Sequence, residues 1–318
     1  MDECRSGRDV AAQALQSTRE KGSTAVRPRG SIRHIFNIKA RDFVIPAGEK
    51  TLVMGILNMT PDSFSNDGLL GKNRSSRLKP IDFALRLISD GADIIDVGGE
   101  STRPGSKRIS QKEEIKRVIP LISLLARKCN VPISVDTYKT EVAKRALDSG
   151  ASIVNNIMGV KANRSLLKMV KSYKAAIVLM HIRKTPKNMQ ENIRYRDLIG
   201  EIKESLRISI ENCLETGIKL DRIIIDPGIG FGKAPEHNLE IINRLEEFKA
   251  LNCPILIGTS RKSFIGKVLG KQPRERLIGT VASVCAGVLR GANIVRVHDV
   301  REIKDAVTLT DAILNQRA

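Results

Sequence analysis

Residues 132–150, PISVDTYKTEVAKRALDSG, contain one whole unit of the fold. PISVDT is a short apolar and β-branched run that ends on an acid, Asp136. Strands buried on both faces read this way, as a continuous apolar run without strict alternation. KTEVAKRALDSG then follows with the spacing of an amphipathic helix, and Gly150 stands where a helix C-terminus uses a residue of positive φ.

The same unit recurs on either side. Strands are expected at TLVMGILN (51–58), DIIDVGGE (93–100), PISVDT (132–137), SIVNNI (152–157), AAIVLMH (175–181), RIIIDP (222–227), PILIGTS (254–260) and IVRVHD (294–299). Amphipathic stretches such as PIDFALRLISDG, EEIKRVIPLISLLARKC, NRSLLKMVKSY and RERLIGTVASVCAGVLRG lie between them, and Gly91, Gly150, Gly217 and Gly291 stand at helix ends. Eight β-then-α units in series predict an α/β protein, a (β/α)8 TIM barrel, with an open doubly wound sheet as the alternative. The 318 residues suit one such barrel, which needs about 250. Residues 1–30 are polar, rich in Arg, Ser and Gly, and without periodicity. They read as a mobile N-terminal extension before a barrel domain over 31–318.

Composition excludes several classes. A hydrophobic fraction of 41% supplies a core. Cys4, Cys129, Cys213, Cys253 and Cys285 are scattered, odd in number and lack a C-x-x-C pair, which predicts reduced thiols. No apolar run approaches the roughly 20 residues of a membrane helix, and the N-terminus lacks the apolar core of a secretory signal. A cytoplasmic protein without membrane contact is expected. The net charge of +19 would suit a nucleic-acid binder or steer an anionic small substrate. Aromatic residues make up only 3% and do not interleave with the basic stretches, so a base-stacking platform, and with it nucleic-acid binding, is not expected.

In a barrel of this kind the chemistry gathers at the C-terminal ends of the strands. Asn58, Asp96, Asp136, Asn155, His181, Asp226, Ser260 with Arg261 and Lys262, and Arg296 with His298 stand there, one set per strand. Capping would account for one or two of them. Eight convergent polar ends point to an enzyme. The loops agree: NMTPDSFSND is a long polar connector, GGESTRPGS offers Thr102 and Arg103 to an anion, and DPGIGFGK carries three glycines.

These segments resemble the dihydropteroate synthase family over nearly the whole chain. The resemblance is carried by GILNMTPDSFS (55–65), DVGGESTRPG (96–105), SVDT (134–137), VNNI (154–157), DPGIGFGK (226–233), GTSRKSFIG (258–266), ERLIGT (275–280) and VRVHDV (295–300). It implies a transferase of folate synthesis that joins 6-hydroxymethyl-7,8-dihydropterin diphosphate to p-aminobenzoate, with sulfonamides as competitors and a homodimer through the late helices. Asp96, Asp136, Asn155, Met180, Asp226, Phe231, Gly258, Lys262 and Arg296 match its pterin positions. Phe64, Thr102, Arg103, Pro104, Phe231 and Ser263 match those around p-aminobenzoate. Asn58, Arg296 and His298 would meet the diphosphate, with Asn58 also on a Mg2+ cofactor. Asp136, Lys262, Arg296 and Asp67 would carry the catalysis.

The sequence departs from the family at Asn66, where an Asp is usual and Asp67 follows, and at Lys184, often a Gly. Either Asp67 takes over the stabilisation of the pterin cation through a shifted loop, or that step is weaker in this protein. Two other readings are a methyltetrahydrofolate-binding methyltransferase barrel, which would turn over without diphosphate, and a non-catalytic basic barrel on nucleic acid, whose binding would depend strongly on salt.

Overall fold

The computed structural model describes residues 34–60, 79–101, 106, 108–159, 163–183, 189 and 193–316. All eight expected strands form: β3 (Leu52–Asn58), β4 (Ile94–Gly98), β5 (Ile133–Asp136), β6 (Ile153–Asn156), β7 (Ala176–Met180), β8 (Ile223–Asp226), β9 (Leu256–Ile257) and β10 (Ile294–Val297). They pair in parallel in the order β8-β7-β6-β5-β4-β3-β10-β9, and a parallel bridge between Ile225 and Ile255 closes the ring. Helices α1 (Pro80–Ser89), α2 (Gln111–Lys128), α3 (Thr140–Asp148), α4 (Arg164–Ser172), α5 (Leu198–Thr216), α6 (Pro235–Asn243), α7 (Ser263–Leu269), α8 (Leu277–Leu289) and α9 (Val300–Asn315) surround it. The architecture is the TIM barrel expected. Gly91, Gly150, Gly217 and Gly291 all take positive φ, between 91° and 110°, at the helix ends.

The alternation of side chains along each strand sorts the core in two. Val53, Ile95, Val135, Val154, Ile177, Ile223 and Val295 face the helices. Leu52, Met54, Ile94, Ile153, Ala176, Val178, Ile224, Leu256 and Ile294 pack inside the barrel. Continuing that inward series toward the C-terminal ends reaches Asn58, Asp96, Asp136, Asn155, Met180, Asp226, Gly258, Arg296 and His298.

A feature without a place in the sequence reading is the antiparallel hairpin β1 (Phe36–Ala40) and β2 (Phe43–Ala47). Ile38, Ala40, Ile45 and Ala47 plug the barrel's N-terminal mouth against the interior cluster, while Asn37, Lys39, Val44 and Pro46 face outward. Arg41, in the turn at φ +56°, fastens it by donating to the carbonyls of Leu147 and Ala151 at 2.6 and 3.0 Å. The floor is therefore closed, and ligands have the opposite mouth.

Cys129, Cys213, Cys253 and Cys285 are free thiols. Burial pushes Cys213 up to about 12 and raises Cys253 as well, so both stay protonated. No helix among the described residues is long and apolar enough to cross a membrane.

Candidate active site

Four of the inward side chains at the C-terminal mouth form one hydrogen-bonded network. Arg296 donates through Nε to Asp96 Oδ2 at 2.6 Å and through Nη2 to Asp136 Oδ2 at 2.9 Å. Asn155 Nδ2 donates to the same Asp96 oxygen at 3.1 Å. Asp96 is fully buried, so it needs this cation. Its Oδ1 has no hydrogen-bond partner among the described residues. Asn58 joins the network's edge: a Cβ built on Gly98 would lie 3.4 Å from Asn58 Oδ1 and 3.5 Å from Asp136 Cβ. Lacking that Cβ, Gly98 leaves the two side chains room to face one space.

The opposite wall carries Asp226, Phe231 and Lys262. Asp226, at the end of β8, accepts from the Gly228 N–H at 2.7 Å. The Lys262 ammonium lies 4.1 Å from the Phe231 ring centroid, a cation–π contact. Gly230, at φ +83°, sits under the lysine stem, where a Cβ would come within 2.9 Å of Lys262 Cδ. Met180 pairs with Asp226 across β7 and β8 and packs in one small apolar cluster with Phe231. Gly258 lies beside Arg296, its would-be Cβ 3.8 Å from Arg296 Cβ.

Two loops at the β9 and β10 ends are tied to each other. His298 N–H donates to Ser260 Oγ at 3.2 Å, and the hydroxyl meets His298 Nδ1 at 3.0 Å. Arg261, held at φ +57°, pairs with Asp299 through two bonds of 3.1 and 2.5 Å. Arg276 donates to the carbonyls of Arg261 and Lys262 at 3.0 and 3.4 Å. Ser263 follows as the exposed first residue of α7.

The electrostatics are those of a site prepared for a ligand. Burial pushes the Asp136 carboxyl up to about 7, with Asp96 and Glu114 acting in the same direction and Arg296 and Lys262 against it. Burial also raises Asp226, and it pulls Lys262 down to about 8. Burial disfavours the Arg296 charge too, but Asp96 and Asp136 outweigh it and raise the guanidinium. Asp136, Asp226 and Lys262, displaced towards neutrality by burial, gain most from a ligand that brings complementary donors and acceptors.

The structure thus brings together Asn58, Asp96, Asp136, Asn155, Met180, Asp226, Phe231, Gly258, Lys262, Arg296 and His298 at one mouth, with Ser263 at its edge. Phe64, Asn66, Asp67, Thr102, Arg103, Pro104 and Lys184 lie outside the described residues. His181, read from the sequence as another rim group, is buried and turned toward Lys233 at 3.0 Å. Lys233 and Arg276 had not been singled out, although GFGK and ERLIGT contain them.

Among the described residues no three His, Cys, Asp or Glu side chains gather as a metal centre. The Asn58 amide oxygen is a suitable hard donor for Mg2+, but a single one. That donor set fits an ion brought by an anionic substrate rather than a cation caged by the protein.

Residues 54–298 match the pterin binding enzyme family. The chain is 47% identical over 268 residues to the dihydropteroate synthase of Bacillus subtilis, covering 84% of this chain and 90% of that one. It superposes on the Yersinia pestis dihydropteroate synthase solved with a sulfonamide drug at a TM-score of 0.80 and 38% identity, covering 87% and 98% of the two chains. The Thermus thermophilus dihydropteroate synthase in complex with 4-aminobenzoate gives a TM-score of 0.77 and 34% identity, covering 88% and 100%. By these likenesses the chain belongs to the pterin binding enzyme family, among its dihydropteroate synthases.

Proposed function

We propose that this protein condenses 6-hydroxymethyl-7,8-dihydropterin diphosphate with p-aminobenzoate, giving 7,8-dihydropteroate and diphosphate. The observation that carries the reading is the mouth itself, where three inward carboxylates, an amide, a lysine and an arginine surround one space.

Asp136, Asn155 and Asp226 accept from the N–H groups of the pterin's guanidine-like edge, and Lys262 donates to the opposite edge. Met180 and Phe231 pack the ring, and Gly258 lets it approach the backbone. Asp96 holds Arg296 and Asn155 in place. Arg296 then spans from the ring to the diphosphate, where His298 and Asn58 supply further polar contacts. Mg2+, when bound at Asn58 with the diphosphate, would neutralise the leaving group's charge.

The chemistry follows an SN1-like order. The bond between the pterin methylene carbon and the diphosphate oxygen breaks, and the electron pair leaves with the diphosphate beside Arg296 and His298. The resulting pterin methylene cation is resonance-stabilised, and the Asp136 carboxylate faces it. The p-aminobenzoate nitrogen attacks that carbon and releases a proton to solvent. Phe231 and Ser263 contact this second substrate, with Phe64, Thr102, Arg103 and Pro104 as its further expected partners and Asp67 as a second carboxylate near the cation.

The decisive assay follows diphosphate release with both substrates, with and without EDTA. Release is expected only when both are present, weakened by EDTA, and lowered on the order of 100-fold in kcat/KM by Lys262→Ala. Wild-type protein that releases no diphosphate sinks the reading.

The homodimer belongs to the same proposal. Ile278 on α8 is 77% exposed, and Leu309 and Ile313 on α9 are 64% and 65% exposed. These two helices pack side by side and each leaves large apolar side chains exposed, which suits a two-fold self-complementary contact. Ile278→Glu is expected to shift sedimentation from dimer to monomer; a wild type that sediments as a monomer at micromolar concentration refutes the interface.

A further inference from the structure

We infer that Lys233 is a positioning residue of the pterin pocket, whose ammonium ties the end of β7 to the loop after β8 and so sets Phe231 and Asp226 against the ring. The inference rests on the pterin reading above and adds to it a residue that does not touch the substrate.

Lys233 is only 3% exposed. An ammonium has three protons to donate, and three acceptors surround this one. They are His181 Nδ1 at 3.0 Å, the Phe231 carbonyl at 2.9 Å and the His181 carbonyl at 3.4 Å. His181 closes β7, and Phe231 is the ring that carries Lys262 on its face. A single side chain behind the wall therefore spans two neighbouring strand ends.

The loop it holds has little regular structure of its own. Gly228, Gly230 and Gly232 take φ of +73°, +83° and +66°, so the backbone repeatedly leaves the regions of helix and strand. Its peptide groups are gripped by side chains. Asp226 accepts from Gly228, Asn238 Oδ1 accepts from the Gly230 N–H at 2.6 Å, and Tyr195 Oη donates to the Gly232 carbonyl at 3.0 Å. A Cβ on Gly228 would lie 1.9 Å from the His181 carbonyl oxygen and 3.3 Å from Lys233 Nζ, so loop and strand end already interlock closely.

Lys233 differs from Asn238 and Tyr195 in bringing a charge into the core, and from Asp226 in bringing a positive one. Asp226 favours its proton, Lys262 opposes it, and burial pulls it down to about 7. His181 is neutral, pushed down to about 2 by burial, Lys233 and Arg183. The ring of Tyr195 flanks His181 at 6.3 Å, with Arg183 over its face and His237 at its edge. A buried cation in such surroundings contributes little stability, and an apolar chain of similar length would be desolvated at less cost. What it adds is the position of Phe231 and a positive charge that keeps Asp226 ionised to accept from a pterin edge.

Calorimetric titration of the full chain with 6-hydroxymethylpterin, a probe without diphosphate or p-aminobenzoate, reads the pocket alone. Lys233→Met is expected to weaken that binding about tenfold near pH 6.5, with the p-aminobenzoate KM raised by a smaller factor, through Phe231 alone, and the thermal midpoint not lowered. Asp136 ionises over the same range and favours the pterin in wild type and variant alike, so the Lys233 contribution is read as the ratio of the two affinities, which is expected to shrink as the pH rises through about 7. Unchanged pterin affinity in the variant overturns the inference. So does a lowered midpoint with equal losses for both substrates, which would make Lys233 a mere core strut. Lys233→Gln takes the same readings should the methionine variant not fold. A wild type that does not bind the probe would instead overturn the pterin reading itself.

Discussion

Arg296→Ala is expected to lower kcat/KM by about 10² to 10³-fold and to cost about 3–5 kcal/mol of stability. Both effects have the same origin. The guanidinium bonds Asp96 at 2.6 Å and Asp136 at 2.9 Å, and Asp96 is fully buried. Removing the cation leaves two neighbouring carboxylates, and the buried Asp96 keeps only the Asn155 amide as a donor among the described residues. Urea unfolding measures the stability and diphosphate release the activity. A second substitution separates the two. Asp96→Asn added to Arg296→Ala removes one orphaned charge, so stability should recover in part while activity does not. If Arg296→Ala unfolds at the wild-type urea concentration, the network is not a buried charge cluster.

How much of this was legible in the sequence depends on where each residue's partners lie. The barrel strands are apolar on both faces, so runs such as RIIIDP and IVRVHD declare themselves locally. Asp136, Asn155, Asp226 and Arg296 stand at the ends of those runs, and a period of two carries them to the same mouth. The hairpin escaped because its strands are five residues long and each shows one face to solvent; Lys39 and Pro46 interrupt the apolar pattern. What makes it structure is the barrel floor, a tertiary partner. Lys233 escaped for the same reason. GFGK reads as the end of a glycine turn, and its acceptor His181 lies 52 residues earlier. His181 in turn looked like a rim group until that lysine was seen to occupy it. Arg276 supports the Lys262 loop from 14 residues downstream. Side chains at the strand ends repeat with the strands; side chains that grip other side chains and loops do not.

Asp136→Asn should lower kcat/KM on the order of 10²-fold or more near pH 8 and yet raise stability there. In wild type the carboxyl, pushed up to about 7 mainly by burial, is expected to give activity an acid limb near that pH. Below it the protonated carboxyl no longer accepts fully from the pterin, nor faces the methylene cation with a charge. The amide never ionises, so the variant should be slow throughout, with the limb near 7 gone. Stability follows from proton linkage. The folded pKa lies above the ordinary value of 3.8, so between these two values the folded state binds more protons than the unfolded one. The carboxyl's contribution to stability therefore declines as pH rises through that window and stays low above about 7. An isosteric amide escapes that cost, and its advantage over wild type should grow between about pH 5 and 8. Arg296 opposes this trend because it loses one of its two carboxylates, but Asp96 still holds it at 2.6 Å. Urea unfolding at both pH values, beside pH profiles of both proteins, checks the two halves together. An Asn variant that keeps the limb near 7, or loses stability equally at both pH values, would remove Asp136 from the centre of the site and leave Asp226 to hold the ring alone.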